Sequence, residues 1–226
     1  VVVADMNAAD ETVAAVEAAG GQALAVRVDV SDAQSVQAMA DAAMARFGRI
    51  DGLVNNAAYF REVKLTPFEE LDPQQWDRIF DVNVKGLIFM LQEVAESMKR
   101  RGRGGKIINF ASQAGRRGEA LVAVYCASKA AVISLTQSAG LALIPHRINV
   151  NGIAPGLVDT KLTKVTTNNP ERLKASLATQ KRFLANAAHQ LKTPLAGLRM
   201  QADLAQREGT STEELKRSLQ QIGRSS

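Results

Sequence analysis

Residues 106–156 read KIINFASQAGRRGEALVAVYCASKAAVISLTQSAGLALIPHRINVNGIAPG, and this stretch decides the fold. It opens with a short apolar run at 106–110 and closes with another at 147–153. Between them lies an alanine-rich segment, residues 124–143, with the length and composition of a helix that Pro145 ends. A strand, a long helix and a second strand in this order indicate a right-handed βαβ unit of a parallel sheet.

The same alternation extends back to the first residue. Further strands are predicted at 1–4, 23–28 and 50–55, and further helices at 8–19, 31–47 and 73–98. Ser31 is the predicted N-cap of the second helix, and Pro73 suits the first turn of the third. Strands that alternate with helices of this length predict an α/β fold with a doubly wound parallel sheet.

The pattern changes near residue 178. Between residues 183 and 204 apolar side chains recur every three or four positions, a polar turn follows at 208–212, and a second helical segment starts at 213. This arrangement predicts an antiparallel α-helical hairpin. We therefore predict two domains, an α/β domain over residues 1–178 and a helical hairpin over residues 179–226.

Charge distinguishes the two segments. Residues 179–226 hold eight Lys/Arg against four Asp/Glu (+4), and residues 1–178 hold twenty against nineteen (+1), which together give the net charge of +5. The nearly neutral larger segment offers no case for nucleic-acid binding. A single cysteine, Cys126, suits a reducing cytoplasm, and no uninterrupted apolar run reaches the length of a bilayer span.

Ser112, Tyr125 and Lys129 form the strongest candidate for a reaction centre. Tyr125 and Lys129 are four residues apart on a predicted helix and share a face, while Ser112 follows the carboxyl end of a predicted strand. Alcohol oxidation needs a base, and a free tyrosine, with a pKa of about 10, is a poor one at neutral pH. A neighbouring lysine favours the phenolate, and a serine hydroxyl can orient the substrate oxygen. Taken alone, this spacing also fits an ordinary surface helix.

Other motifs accompany it in a fixed order. They are Asp29-Val30 after one strand, Asn55-Asn56-Ala57-Ala58 after the next, Asn83 within a long helix, and Pro155-Gly156 after the last strand. In order and spacing the chain resembles the short-chain dehydrogenase/reductase family over residues 1–164. The resemblance implies a Rossmann-like fold, and Val1 matches the second strand of the family pattern, so that the first βα unit is missing.

The family's functional residues map onto this sequence. Tyr125 corresponds to the general base, Lys129 to the partner that lowers its pKa and binds ribose, Ser112 to the substrate anchor, and Asn83 to the residue that holds a proton-relay water. The resemblance implies cofactor contacts at Asp5, Asp29, Val30, Asn55, Ala57, Tyr125, Lys129, Pro155 and Gly156.

Asp5 points to NAD as the cofactor. An acidic residue at the end of this strand accepts a hydrogen bond from the ribose 2′-hydroxyl and repels a 2′-phosphate. The alternative is that Asp5 merely precedes a helix N-terminus. Ala58 departs from the family's usual Asn-Asn-Ala-Gly. No metal is predicted.

Residues 104–144 resemble the polyol dehydrogenases of this family, those that act on sorbitol. The likeness implies a sugar alcohol as substrate, oxidised at a secondary hydroxyl to a ketose, and a homo-oligomer formed through the two long helices. Four polar residues after Ser112 are either substrate contacts or parts of a solvated loop: Gln113, Arg116, Arg117 and Glu119.

The tail resembles a different family. His189-Gln190-Leu191-Lys192-Thr193-Pro194-Leu195 is similar to the phosphoacceptor box of sensor histidine kinases, which implies phosphorylation at His189 and dimerisation through the hairpin. Gln190 stands where that family usually has Glu or Asp. No ATP-binding domain follows in this sequence, so any phosphorylation is expected in trans, as the alternative function.

Two unrelated likenesses in one chain suggest a joined or chimeric sequence. The sequence holds no Thr-Gly-x-x-x-Gly-x-Gly turn, which would bind the cofactor pyrophosphate. In the strand order 3-2-1-4-5-6 the strand before that turn is central, so the strands at residues 1–4 and 50–55 should each lack a partner. We expect marginal stability, self-association and no measurable NAD binding by the chain as printed.

Overall fold

The computed structural model describes residues 1–156 and residue 158, and strands alternate with helices throughout this part. The predicted hairpin, the domain boundary near residue 178 and His189 lie outside the described residues. The elements are β1 (Val2–Asp5), α1 (Asp10–Ala18), β2 (Leu24–Arg27), α2 (Ala33–Phe47), β3 (Gly52–Asn55), α3 (Pro73–Phe80), α4 (Gly86–Arg101), β4 (Gly105–Phe110), α5 (Ala123–Leu143) and β5 (Ile148–Ile153).

All strand pairs in the described residues are parallel. β1 pairs with β2, with Val3 opposite Ala25. β4 lies between β3 and β5, and its Ile107 faces Leu53 on one side and Val150 on the other. Because each pair of parallel strands is connected through a helix, the α/β fold with a parallel sheet predicted from the sequence is confirmed.

The sheet is divided between β1 and β3. The strands form a two-stranded sheet, β1-β2, and a three-stranded sheet, β3-β4-β5, and no ladder joins β1 to β3 in the part of the chain described. Val54, in the middle of β3, has 59% of its surface exposed. Within the described residues, β1 and β3 therefore each have one edge without a partner strand.

Both sheets contribute to one hydrophobic core. Val28, Leu53, Ile107 and Ile148 belong to the same cluster of buried residues, together with side chains of α2, α4 and α5. Ile107 is fully buried, as expected for the central position of a strand that has a partner on each side. The shared core holds the two sheets in one unit, Val1–Val158.

The helix predicted at 73–98 contains a π-helical turn. This turn, Asp81–Lys85, joins α3 directly to α4, and Asn83 lies at its centre with 2% of its surface exposed. α4 continues to Arg101 and ends where Gly102 adopts a left-handed conformation. A π turn of this kind inserts a residue into the helix and commonly marks a functional position.

The predicted cap of α2 is wrong. Asp32, not Ser31, is the N-cap, and its carboxylate accepts a hydrogen bond from the Gln34 N–H at 3.0 Å. Ser31 instead donates its hydroxyl to Asp29 Oδ1 at 2.6 Å. Both Ser31 and Asp32 have side chains that can cap a helix. In the turn after β2, Ser31 is bonded to Asp29, and Asp32 therefore caps α2.

Helix α5, extended to His146, is long and apolar enough to cross a membrane by length and composition. It also carries Lys129, which is 3% exposed, and it packs against β5. A buried lysine and a packed sheet on one side are typical of a core helix. Only 28% of its most apolar window is buried, so apolar surface remains on its other side.

Candidate active site

The candidate site lies at the carboxyl edge of the three-stranded sheet. Asn55 ends β3, Ser112 follows β4 and Pro155 follows β5, so the parallel strands bring all three residues to one edge. The Gln113 N–H donates to the Pro155 carbonyl at 3.0 Å, which joins the loops after β4 and β5. Asn55 Nδ2 donates to Asn109 Oδ1 at 2.9 Å, which joins the ends of β3 and β4.

Ser112 and Tyr125 lie near each other. Ser112 begins a single 3-10 turn, Gln113–Gly115, and its hydroxyl accepts from the Ala114 N–H at 3.1 Å. Its side chain lies close enough to the phenol of Tyr125, near the start of α5, to act on the pKa of that phenol in the lowering direction. The serine hydroxyl and the phenol are therefore neighbours at the candidate site.

Lys129 lies one turn further along α5. Its Nζ donates to the Phe110 carbonyl at 2.9 Å and stands 5.8 Å from the centroid of the Tyr125 ring. Burial lowers the pKa of the Lys129 ammonium to about 8, because removal from water disfavours the charged form. The hydrogen bond to the last carbonyl of β4 therefore holds the ammonium beside the Tyr125 ring.

The pKa of Tyr125 shifts opposite to the expected direction. Burial raises the pKa of the phenol above its usual range, the polar side chain of Ser112 opposes this, and Cys126 and Glu119 add to the rise. The charge of Lys129 does not offset these effects. The phenolate needs further positive charge nearby before Tyr125 can act as a base at neutral pH.

Asn83 holds the loop after β3. Its Oδ1 accepts from the Tyr59 N–H at 2.7 Å, and its Nδ2 lies 3.4 Å from the Tyr59 carbonyl and 3.1 Å from Ser128 Oγ. The Ser128 hydroxyl donates to the Tyr125 carbonyl at 2.8 Å. The π turn is therefore connected to both the loop and α5, which places Asn83 beside the candidate site as the sequence indicated.

A buried polar pair beneath the site was missed at the sequence level. Asn109, fully buried in β4, donates through Nδ2 to Thr136 Oγ1 at 3.0 Å, and the Thr136 hydroxyl donates to the Val132 carbonyl at 2.7 Å. An asparagine inside the apolar run KIINF was the available signal, since a buried amide requires partners. These bonds fix Asn109, which in turn orients Asn55.

The remaining predicted cofactor residues are more scattered. Asp5 ends β1, is exposed, and accepts from the N–H of Asn7 at 2.8 Å. Hydrogen bonds from the Ser31 side chain and backbone hold the pKa of Asp29 below its usual value. Val30 packs on Gly86 of α4, and Ala57 is exposed. A Cβ placed on Gly156 would stand 3.5 Å from the Gln113 side chain.

The polar residues after Ser112 form a partly buried group. Arg117 Nη2 lies 3.2 Å from Glu119 Oε1, and the arginine side chain is 16% exposed. Its Nε and Nη1 are buried with no hydrogen-bond partner among the described residues, as is Oε1 of Gln113. Glu119 is exposed and acts on the Tyr125 phenol through its charge.

Two family models match the chain. Residues 1–171 match the model described as short chain dehydrogenase. Residues 179–226 match the model described as the His Kinase A (phospho-acceptor) domain. The two matched ranges do not overlap, and the second contains His189.

Relatives are found for the larger segment. The chain is 56% identical over 159 residues to a sorbitol dehydrogenase of Cereibacter sphaeroides, covering 70% of this chain and 60% of that protein. It is 54% identical over 159 residues to a galactitol 2-dehydrogenase of Agrobacterium fabrum, with the same coverage. The solved structure of an NAD⁺-bound xylitol dehydrogenase superposes with a TM-score of 0.68 at 34% identity, covering 72% of this chain and 62% of that one. The chain thus spans about 60% of the length of the curated relatives it matches, and it belongs to the short-chain dehydrogenase family.

Proposed function

We propose that Ser112, Tyr125 and Lys129 form the reaction centre of an NAD-dependent oxidoreductase that converts a secondary hydroxyl of a sugar alcohol to a ketone. The observation that carries the proposal is the position of Lys129 Nζ, 5.8 Å from the centroid of the Tyr125 ring, with the Ser112 side chain near the phenol. The identity of 56% and 54% to a sorbitol and a galactitol dehydrogenase supports a polyol as the substrate class.

The chain's own residues account for the proton transfer. Bound NAD would accept the hydride from the carbinol carbon. Ser112 Oγ would hold the substrate oxygen, and Tyr125 would take the hydroxyl proton as the carbonyl forms. Lys129 contributes positive charge beneath the phenol and, on this proposal, a donor to the nicotinamide ribose. Asn83, through Tyr59 and Ser128, keeps the loop after β3 beside this centre.

The residues present fit the two ends of the dinucleotide. Asp5 offers an exposed carboxylate at the end of β1 for the adenosine ribose. We assign the nicotinamide ribose to Tyr125 and Lys129. Asn55 and Pro155 flank the latter position at the same sheet edge. The printed sequence contains no glycine-rich turn for the pyrophosphate.

The test compares two proteins. One is the 226-residue chain, and the other, the extended protein, is the same chain preceded by a glycine-rich strand–turn–helix unit of the dinucleotide-binding type. Each is assayed for NADH formation with sorbitol, galactitol and xylitol, and with simple secondary alcohols as controls. We expect polyol-dependent NADH formation in the extended protein and little in the chain alone. Absence of polyol oxidation in a folded extended protein would refute the proposal.

The apolar outer surface of α5 supports a homo-oligomer. Leu141, in α5, has 72% of its surface exposed, and Ile144, directly after the end of α5, has 64% exposed, although both are large apolar residues. We infer that the two long helices, α4 and α5, pair with a second copy. Sedimentation should show a dimer or tetramer that Leu141→Glu dissociates; an unchanged oligomer in that variant would place the interface elsewhere. Cytoplasmic location stays a prediction.

A second candidate function concerns the tail. The match of residues 179–226 to the phospho-acceptor model supports His189 as a histidine that accepts a phosphoryl group, and the hairpin as a dimerisation element. We expect no label from ATP with this chain alone, and His189-dependent label after addition of a histidine kinase catalytic domain. Labelling of the chain alone that His189→Ala abolishes would contradict phosphorylation in trans.

A further inference from the structure

An aromatic side chain outside the reaction centre covers the phenol of Tyr125. The ring centroids of Phe60 and Tyr125 are 4.6 Å apart and their planes are tilted by 50°. This tilted geometry lies within the range in which aromatic pairs attract each other beyond simple burial of area. Phe60 therefore makes a specific contact with the proposed base, although it belongs to a loop after β3 and not to α5.

The position of Phe60 is fixed from the neighbouring helix. Asn83 accepts a hydrogen bond from the N–H of Tyr59, the residue before Phe60, and its Nδ2 donates to the Tyr59 carbonyl. The Arg78 guanidinium lies 5.7 Å from the centroid of the Tyr59 ring. Since backbone and ring of Tyr59 are both held by the α3 segment and its π turn, the loop has little freedom to swing Phe60 away from Tyr125.

Polar and ionisable groups also act on Tyr125. The Ser112 side chain acts to lower the pKa of the phenol, Lys129 Nζ lies 5.8 Å from the ring centroid, and Glu119 and Cys126 act through charge. Burial is the largest influence on the phenol and raises its pKa. An apolar ring in contact with the phenol ring contributes to that burial, because it occupies space that water would otherwise fill.

We propose that Phe60 is a positioning residue of the reaction centre: the contact of its ring with Tyr125 orients the phenol and keeps water away from it. The part of this proposal that concerns turnover rests on the proposed function. The part that concerns the phenol itself does not, because the contact exists in the chain without any reaction.

Removal of the ring should have two separable effects. Water gains access to the phenol, so the pKa of Tyr125 falls toward its ordinary value. The phenol also loses a fixed orientation, so turnover falls, by on the order of tenfold in kcat, because a misplaced base reacts more slowly. The first effect shifts the pH profile of kcat toward acid, whereas the second lowers its maximum.

The phenol can be observed directly. The sequence has two tyrosines, Tyr59 and Tyr125, so a Tyr59→Phe background leaves one phenol to titrate by ultraviolet absorbance. In that background Phe60→Ala should titrate at lower pH than the parent, and Phe60→Leu, which keeps an apolar cover, should lie between them. Phe68→Ala is the matched control, since Phe68 is 76% exposed and should leave the titration unchanged. Circular dichroism verifies that each variant is folded.

The outcomes separate the two proposals. If the phenol titrates at lower pH in Phe60→Ala and at unchanged pH in Phe68→Ala, the role of Phe60 is supported. This holds even if no polyol is oxidised, and in that case the proposed function alone fails. An unchanged titration in a folded Phe60→Ala protein, or an equal shift in Phe68→Ala, overturns the role of Phe60. In the extended protein, an acid-shifted kcat profile with a lowered maximum completes the support.

Discussion

Gly115 lies directly against the backbone of Lys129: a Cβ placed on Gly115 would stand 2.5 Å from the carbonyl carbon of Lys129. The turn after Ser112 can approach α5 this closely only because residue 115 has no side chain. The approach brings the turn that follows Ser112 close to the helix that carries Tyr125. The proposed reaction centre thus depends on a packing contact that involves none of its own side chains.

Gly115→Ala should therefore damage both stability and catalysis. The added methyl group must push the turn away from α5, which we expect to lower the free energy of unfolding by about 1–3 kcal/mol. It should also move Ser112 relative to Tyr125 and reduce kcat. Gly118→Ala is the matched control, because a Cβ at Gly118 meets nothing within 4 Å. Equal denaturant midpoints for Gly115→Ala and Gly118→Ala would show that the close approach has no energetic consequence.

The alternation of strands and helices was predictable because apolar periodicity reflects burial on one face. The register of the strands was not, since it depends on contacts between segments distant in sequence. The pairing of Asn55 with Asn109 follows from that register. The hydrogen bonds of Asn83 with Tyr59 depend in the same way on a contact between distant segments. The contact between Phe60 and Tyr125 could not be predicted either, because no spacing rule relates a loop to a helix 65 positions later.

Lys129 should make stability depend on pH in a defined window. Its pKa is about 8 in the folded chain and 10.5 when unperturbed, so between these values the unfolded state binds more protons. Stability from this group therefore rises as pH increases from 8 to 10.5 and is lost as pH falls through 8. Cys126 and Tyr125, whose pKa values are raised, act in the opposite direction above pH 9 and pH 10.

The difference between the parent and Lys129→Met isolates this contribution. Denaturant unfolding at several pH values should show the parent gaining stability relative to Lys129→Met as pH rises from 8 to 10. A constant difference across that range would show that the Lys129 ammonium titrates normally in the folded chain.

Asp5 should determine the preference between NAD and NADP. In the extended protein, Asp5→Asn keeps an oxygen that can accept from Asn7 but removes the charge that repels a 2′-phosphate. The ratio of kcat/KM for NAD to that for NADP should fall, mainly because NADP is used better. Asp10→Asn, at the first position of α1, serves as the control. A ratio that stays the same in Asp5→Asn removes the assigned role of Asp5.

The exposed edge of β3 should promote association. Val54 is 59% exposed in a strand with one unpaired edge in the described residues, and such edges attract other strands. Val54→Lys should reduce concentration-dependent aggregation in sedimentation velocity, since a lysine disfavours the addition of a strand. Leu65→Lys, also exposed but outside any strand, should have less effect. Equal aggregation in both variants and the parent would contradict an edge-driven mechanism.

The most direct test of the central claim is the kinetic effect of Tyr125→Phe in the extended protein, measured with NAD and a polyol. The substitution keeps the ring that contacts Phe60 and removes only the phenol hydroxyl. Because the hydroxyl is assigned a role in proton transfer, kcat should fall by about 10²–10⁴-fold while the dissociation constant of NAD stays nearly unchanged. A Tyr125→Phe protein with near-normal kcat would contradict Tyr125 as the base.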